Sequence, residues 1–182
     1  MDSRDIWGKN AKNSLLEIDP EQLDKLDYLI SQFRKHGIYV NINLHVSRKF
    51  DERDGFVNSA KLPEHTKGVD NFERRMIEYQ KKYAKDLLAH VNPYTKYAYV
   101  DDPGVAVIEI NNENSVVASW SWGQLDSLPE PYCDEFRAIW NGWLTKKYGS
   151  TKKLRAAWGC KDVPLGDNVV AMGDFPADFN FN

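Results

Sequence analysis

Two short strand-like segments separated by a helical segment constrain the fold of this chain most strongly. Residues 38–45 alternate between aliphatic and polar side chains, and residues 105–114 begin as an apolar β-branched run and end in polar residues. Between them, apolar residues at helical spacing predict a helix from a capping pair, Asp70 and Glu73, to about His90. A strand, a helix and a second strand indicate an α/β unit whose two strands run parallel.

Helices are predicted on both sides of this unit from capping residues and apolar spacing. The first should begin at Pro20, because Asp19 can accept hydrogen bonds from the first turn and proline is favoured there. It should end at Gly37, which tolerates the left-handed conformation of a helix terminus. Later helices are predicted over residues 131–148 and 151–158.

The region between the first strand and the second helix, residues 46–68, is predicted to be a loop. It is longer than about 20 residues, which is typical of functional or disordered loops. Arg48, Phe50 and His65 within it are candidates for ligand contact.

Polar side chains recur along one side of each predicted strand. Parallel strands covered on both faces are usually apolar throughout, so these rows need a polar space to face. A closed barrel supplies such a space, with the aliphatic rows facing the outer helices. The rows are Tyr39, Asn41, Asn43 and His45 in the first strand, and Val105, Val107, Glu109, Asn111 and Glu113 in the second.

Glu113 stands where the second strand gives way to the following loop, between Asn112 and Asn114. In parallel α/β sheets, ligands bind outside the carboxyl ends of the strands. A carboxyl group at this position can serve as an acid or a base, the alternative being a surface glutamate in a polar loop.

Composition narrows the range of partners. The chain has 182 residues, 42% hydrophobic and 28% charged, with a net charge of −3, which indicates one globular domain without a basic surface for nucleic acid. Cys133 and Cys160 do not form a disulfide framework, and the histidines and cysteines lack zinc-ligand spacing. We therefore expect neither metal nor organic cofactor. The polar N-terminus shows no signal peptide or membrane span, which leaves localisation open.

Trp120 and Trp122 lie in residues 115–128, which are predicted to be a loop near the carboxyl end of the second strand. Tryptophans in such a loop either stack against flat ligand faces, such as those of sugar rings, or pack structurally. Both alternatives remain open from the sequence.

Three segments resemble one family of enzymes. Residues 108–114 (Ile-Glu-Ile-Asn-Asn-Glu-Asn) resemble the end of strand four in the clan of retaining (β/α)8 glycoside hydrolases that includes cellulase family 5, residues 37–45 resemble its strand three, and residues 140–158 resemble a segment common in its members. The resemblance implies that Glu113 is the general acid/base and that Asn112 holds the sugar 2-hydroxyl. It also implies that His45 lines the sugar subsite.

The chain departs from the family in its length. A full barrel needs about 250 residues and eight strands, whereas only counterparts of strands three and four are found here. We expect an incomplete TIM (β/α)8 barrel, roughly helix two to helix four. Residues 19–158 would be the glycoside hydrolase region, between an irregular N-terminal segment (residues 1–18) and an irregular tail (residues 159–182).

The missing part of the barrel has a chemical consequence. Retaining hydrolysis needs a second carboxylate about 5 to 5.5 Å from the first, acting as nucleophile, and no residue matches it. Glu109 lies four residues, about 13 Å, back along the strand from Glu113. We expect a hydrolase-like domain that is inactive alone and acts on an oligo- or polysaccharide. The alternative is a non-catalytic domain that binds carbohydrate or self-associates through its unclosed sheet edges.

Overall fold

The computed structural model describes residues 17–159 of the chain. The predicted segments 1–18 and 159–182 lie almost entirely outside these residues. Helices and strands alternate up to the second strand, and three helices follow it. The helices are α1 (Pro20–Lys35), α2 (Arg74–Ala89), α3 (Val116–Ser121), α4 (Tyr132–Tyr148) and α5 (Thr151–Trp158); the strands are β1 (Val40–Asn43) and β2 (Val105–Glu109).

The two strands pair in parallel, as predicted for a strand–helix–strand unit. One extra residue in β2, Ala106, interrupts the register and forms a bulge. Val105 and Ile108 therefore pack towards the same core, whereas Val107 lies on the other face. The single parity predicted for residues 105–113 is wrong, because one inserted residue moves every later side chain to the opposite face. The paired residues are Val40 with Val105, Asn41 with Val107, Ile42 with Ile108 and Asn43 with Glu109.

Both strands are shorter than the predicted segments 38–45 and 105–114. Ile38 and Tyr39 are exposed and precede the paired region. Regular pairing stops at Glu109, because β1 ends opposite it at Asn43. Isolated strand-like hydrogen bonds continue beyond this point, which keeps the exit ends of the two strands together.

Helices α1 and α2 cover one face of the sheet. The apolar side chains of β1 meet those of both helices in a buried cluster, so this face forms the main core. The opposite face carries Asn43, Glu109 and Val107, and Val107 is 52% exposed. The core cluster consists of Leu26, Ile30, Ile42, Leu44, Tyr83, Leu87 and Tyr99.

The long segment after β1 is folded rather than irregular. It contains short 3-10 turns at Glu52–Asp54, Ser59–Lys61 and Glu64–Thr66. Phe50 is fully buried in a second core cluster, and the buried guanidinium of Arg48 lies 4.7 Å from its ring centroid. The candidate ligand contacts Arg48 and Phe50 are thus buried in the interior of this structure, whereas His65 is half-buried.

Helix α2 begins later than its predicted capping pair indicates. Glu73 caps the helix, and its carboxylate accepts a hydrogen bond of 2.6 Å from the amide of Met76. Asp70 is no cap; it lies buried in a separate turn, Val69–Asn71. Its carboxylate is thus available for contacts with more distant parts of the chain.

Residues 115–128 were predicted to be a loop, and this prediction is wrong in part, because α3 forms within them. The Ser115 hydroxyl accepts a hydrogen bond of 3.3 Å from the amide of Ala118 and caps the helix. The first turn packs closely on the long segment: a Cβ added to Gly68 would lie 2.5 Å from the hydroxyl oxygen of Ser119. Tertiary packing therefore stabilises a helix of only six residues.

The other predicted helices are confirmed. Asp19 accepts hydrogen bonds from the first turn of α1, and Gly37 has the left-handed φ of +70°. Gly149 ends α4 and Ser150 caps α5, which pack together around Leu144 and Leu154. Among residues 17–159, no helix combines the length and hydropathy that crossing a bilayer requires.

Candidate active site

The exit ends of β1 and β2 lie side by side. The Leu44 amide donates to the Glu109 carbonyl at 2.9 Å, and the Asn112 amide donates to the His45 carbonyl at 3.0 Å. The two segments that carry the predicted site residues therefore share one edge of the sheet, as the parallel arrangement requires.

Glu113 occupies an unusual backbone conformation at this edge. Its φ is +48°, in the left-handed region that non-glycine residues seldom adopt. This turn takes the chain out of the sheet directly after Asn112, and α3 begins shortly afterwards, at Val116. The Glu113 side chain is exposed, outside any helix. A carboxylate at this place can reach a ligand bound over the strand ends.

Glu109 fixes the orientation of two amide side chains below Glu113. Its carboxylate accepts hydrogen bonds from Asn43 Nδ2 at 2.5 Å and from Asn112 Nδ2 at 3.0 Å. An ionised carboxylate only accepts, so Asn112 must turn its NH2 group towards Glu109. The Asn112 Oδ1 then points elsewhere and can accept a hydrogen bond from a ligand hydroxyl.

His45 is buried at the end of β1. Its Nε2 lies 2.5 Å from Asp70 Oδ2, and both side chains are almost completely excluded from solvent. The Asp70 carboxylate therefore sets the ring so that Nε2 carries a proton, while Nδ1 has no hydrogen-bond partner among the described residues. The ring is held from one side, and its other nitrogen, Nδ1, is buried without a partner among these residues.

Asp70 and Asn114 are site residues that the sequence pattern did not single out. Asn114 Nδ2 donates to Asp70 Oδ1 at 2.8 Å. Asp70 follows a long loop and resembles a helix cap in sequence, so periodicity could not reveal its contact with two strand ends. The polar run after β2 was the available signal, because a buried partner is expected for several adjacent amides.

The two candidate tryptophans differ in placement. Trp120 is half-buried and packs against the second core cluster. Trp122 is 71% exposed at the C-terminal end of α3. The structure therefore separates a mainly structural tryptophan from one whose ring is open to a ligand.

Among residues 17–159, no three histidine, cysteine, aspartate or glutamate side chains cluster in a way that could hold a metal ion. The polar groups at the strand ends are amides, an imidazole and isolated carboxylates, which suit hydrogen bonding to hydroxyl groups.

Comparison with known proteins identifies relatives of this chain, although no family model matches it. Mannan endo-1,4-beta-mannosidase 3 of Oryza sativa subsp. japonica is 32% identical over 169 residues, 84% of this chain and 35% of that protein. Mannan endo-1,4-beta-mannosidase 4 of the same plant is 35% identical over 125 residues, 65% of this chain and 23% of that protein. Mannan endo-1,4-beta-mannosidase 1 is 26% identical over 161 residues, 83% and 37% of the two chains.

The matched region makes up 20% to 37% of the length of the curated relatives. The matches nevertheless cover most of this chain, including 84% of it in the first comparison. They agree with the resemblance of the strand-end motifs, which was drawn from separate short segments. The chain is a relative of the glycoside hydrolases of the cellulase clan.

Proposed function

We propose that this chain carries the acid/base half of a retaining glycoside hydrolase site, and that its substrate class is a β-1,4-linked mannan. The observation that carries the proposal is the Asn112–Glu113 pair, which leaves β2 directly beside the end of β1. The names of the relatives supply the substrate class. Residues 19–158 would form the hydrolase region.

The fold supports this proposal if β1 and β2 are interpreted as strands three and four of an incomplete (β/α)8 barrel. Helices cover the face of the sheet that carries Ile42 and Ile108, as the outer helices of a barrel do. The other face carries Asn43 and Glu109, and it would line the barrel interior. The remaining strands would come from polypeptide beyond the described residues.

Glu113 would act twice in such a site. It would first protonate the departing glycosidic oxygen, and it would then take a proton from the water that attacks the glycosyl–enzyme intermediate. Asn112 would accept a hydrogen bond from the sugar 2-hydroxyl through Oδ1, because Glu109 holds its NH2 group. His45 would line the sugar subsite at the end of β1, and its buried Nδ1 would have to be uncovered before it could accept from a sugar hydroxyl. The nucleophilic carboxylate would come from the rest of the barrel.

A chimera tests the catalytic role of Glu113. Residues 19–158 would replace the matching segment of a mannan endo-1,4-beta-mannosidase, and mannan hydrolysis would be measured. Glu113→Gln should lower kcat on mannan by a factor of about 100 or more, the usual contribution of a general acid. A dinitrophenyl β-mannoside should form its glycosyl–enzyme at nearly the original rate, because its leaving group needs no protonation.

Glu78→Gln is the matched control, since Glu78 is an exposed glutamate on α2 with a surface ion pair. It should change neither rate. Full mannan hydrolysis in the Glu113→Gln chimera would remove the acid/base assignment. The unfused chain should hydrolyse neither substrate, because retaining chemistry requires the second carboxylate.

Binding to the chain itself is a separate test. Mannohexaose would be titrated into the 15N-labelled protein, with maltohexaose as the α-linked control. We expect mannohexaose to shift the backbone amide signals of Asn112 and Glu113. Absence of these shifts up to about 10 mM, a binding free energy of roughly 3 kcal/mol, would contradict the proposed site.

A carbohydrate-binding domain without catalysis is the second candidate, favoured by the exposed ring of Trp122. It predicts sugar-dependent shifts of the Trp122 indole signal with unchanged Asn112 and Glu113 signals, and loss of sugar binding by the Trp122→Ala variant. Self-association through the unclosed sheet is a further alternative, motivated by the exposure of Val107 and Ile110. A strictly monomeric species in sedimentation would argue against it.

A further inference from the structure

Asp70 connects the exit ends of both strands. One carboxylate oxygen, Oδ2, accepts from His45 Nε2 at 2.5 Å, and the other, Oδ1, accepts from Asn114 Nδ2 at 2.8 Å. The Asp70 side chain has no exposed surface. Its backbone is anchored separately, because its carbonyl accepts a hydrogen bond of 2.8 Å from Gln80 Nε2 of α2. A buried carboxylate with two strand ends as donors can set the geometry between them.

The donors and acceptors around Asp70 permit one arrangement of Asn114. Both oxygens of an ionised carboxylate accept, so Asn114 must direct its NH2 group at Asp70. Asn114 Oδ1 then faces the opposite way and accepts from the Gly68 amide and from Asn71 Nδ2, each at 2.8 Å. Orientation of the Asn114 side chain therefore follows from the charge on Asp70.

Asn114 is the residue after Glu113, so the arrangement extends to the proposed acid/base. The left-handed φ of Glu113 is held between two fixed neighbours: Asn112 is tied to the His45 carbonyl, and Asn114 is tied to Asp70. We propose that Asp70 is the positioning residue of the site, which sets the backbone of Glu113 through His45 and Asn114. The importance of Asp70 for catalysis rests on the proposed function, whereas its effect on the backbone of Glu113 does not.

A second buried aspartate–histidine pair offers a matched control. Asp27 Oδ2 lies 2.8 Å from His90 Nε2, and Asp27 Oδ1 accepts from the Tyr99 hydroxyl at 2.6 Å. This pair lies at the other end of the sheet, because Tyr99 precedes β2 and His90 follows α2. Asp27→Asn therefore removes the same kind of buried charge without touching the strand exits.

Asp70→Asn removes one acceptor while keeping the shape of the side chain. While His45 keeps its proton on Nε2, the new amide can accept from His45 or from Asn114, but not from both. The other His45 tautomer would place an unpaired N–H at the buried Nδ1, unlike in the partly exposed His90. Asn114 must therefore turn over or lose its partner. Either change weakens the hydrogen bond of the Gly68 amide. We expect hydrogen exchange of the Gly68 and Asn112 amides to accelerate at least tenfold relative to the Leu87 amide in α2.

Exchanging the two residues should restore the site. In the double variant Asp70→Asn with Asn114→Asp, the new amide accepts from His45 and donates to the new carboxylate. That carboxylate also accepts from Gly68 and Asn71, so every donor regains an acceptor. Asn114→Asp alone places two carboxylates against each other and should also accelerate exchange. The double variant should return both exchange rates to within threefold of the original protein, which a packing role would not produce.

Asp27→Asn should accelerate the Gly68, Asn112 and Leu87 amides in proportion, because it lowers overall stability only. Unchanged Gly68 and Asn112 exchange in Asp70→Asn would overturn the positioning role. A double variant no better than either single variant would do the same. If Asp70→Asn alone does not fold, the exchange rates of the double variant still test the positioning role of Asp70. Failure of the double variant to fold would also overturn the proposal.

The mannohexaose titration separates this proposal from the proposed function. Mannohexaose-dependent amide shifts that are present in the original protein and reduced in Asp70→Asn support both the proposed function and the positioning role of Asp70. Shifts of equal size and affinity in the two proteins refute the positioning role and leave the proposed function standing. No shifts in the original protein, with the exchange pattern as predicted, refute the proposed function and leave the positioning role standing.

Discussion

Removal of the Asp27 carboxylate is predicted to be among the more costly single substitutions in the main core. Asp27 is 2% exposed, and its two oxygens accept from Tyr99 and His90. In Asp27→Ala the fully buried Tyr99 hydroxyl loses this acceptor, at about 1–3 kcal/mol. The partly exposed His90 ring can bind water instead, so it adds about 0.5–1 kcal/mol. The expected loss is about 2–4 kcal/mol.

The magnitude can be checked by urea unfolding, followed by circular dichroism at neutral pH, with the m-value held as a test of two-state behaviour. Tyr99→Phe completes a double-mutant cycle, because it removes the donor and leaves the carboxylate to His90. We expect a coupling of about 1–2 kcal/mol between Asp27 and Tyr99. Glu21→Gln is the control, since its ion pair with Lys25 is exposed and should contribute less than about 0.5 kcal/mol.

The reasoning fails if the cycle gives no coupling beyond about 0.3 kcal/mol, the usual error of additivity. It also fails if Asp27→Ala costs no more than Glu21→Gln. The loss of stability in Asp27→Asn should fall between those of Asp27→Ala and Glu21→Gln. The new amide oxygen can still accept from Tyr99 while His90 changes tautomer.

Two further predictions concern packing and alkaline stability. Gly68→Ala should lower the free energy of unfolding by about 1–3 kcal/mol, because φ is +86° and the new Cβ would clash with a serine of α3; unchanged urea unfolding would contradict this. Burial raises the pKa of Tyr83 and Tyr132 to about 12 and raises that of Tyr99, whereas burial lowers the pKa of Arg48 to about 10. The three raised tyrosine pKa values outweigh the one lowered arginine pKa, so the folded state holds between about one and two more protons than the unfolded state between pH 10 and 12. Stability should therefore fall by about 1–2 kcal/mol per pH unit there. Beyond the ionisation of the exposed tyrosines, a further component of phenolate absorbance should appear only with unfolding; the absence of that component would refute the prediction.

Local signals account for the correct part of the sequence-based interpretation. The cap at Asp19 and the glycines at 37 and 149 act within one helical turn, so the ends of α1 and α4 follow from a few residues. The alternation of residues 38–45 and the helix after it predict the parallel pair, because a short chain allows few other connections.

Errors arose where a contact partner is distant along the chain. The bulge at Ala106 depends on how β2 meets β1, and it reversed the face assigned to Val107. Helix α3 depends on Ser119 packing against Gly68, so it could not be found from its own six residues. The burial of Phe50, one of the candidates for ligand contact, depends on the second core cluster, which is assembled from several separate segments.

The amino-acid sequence alone determined the α/β class, the ends of α1, α4 and α5, the parallel strand pair and the placement of His45, Asn112 and Glu113 at its carboxyl edge. Periodicity and capping depend on neighbours within about one or two turns, and such information is readable from the printed chain. Only the tertiary structure decided that Asp70 joins the two strand ends. Its partners lie 25 and 44 residues away, and a contact over that separation exists only after the chain has closed the loops between them.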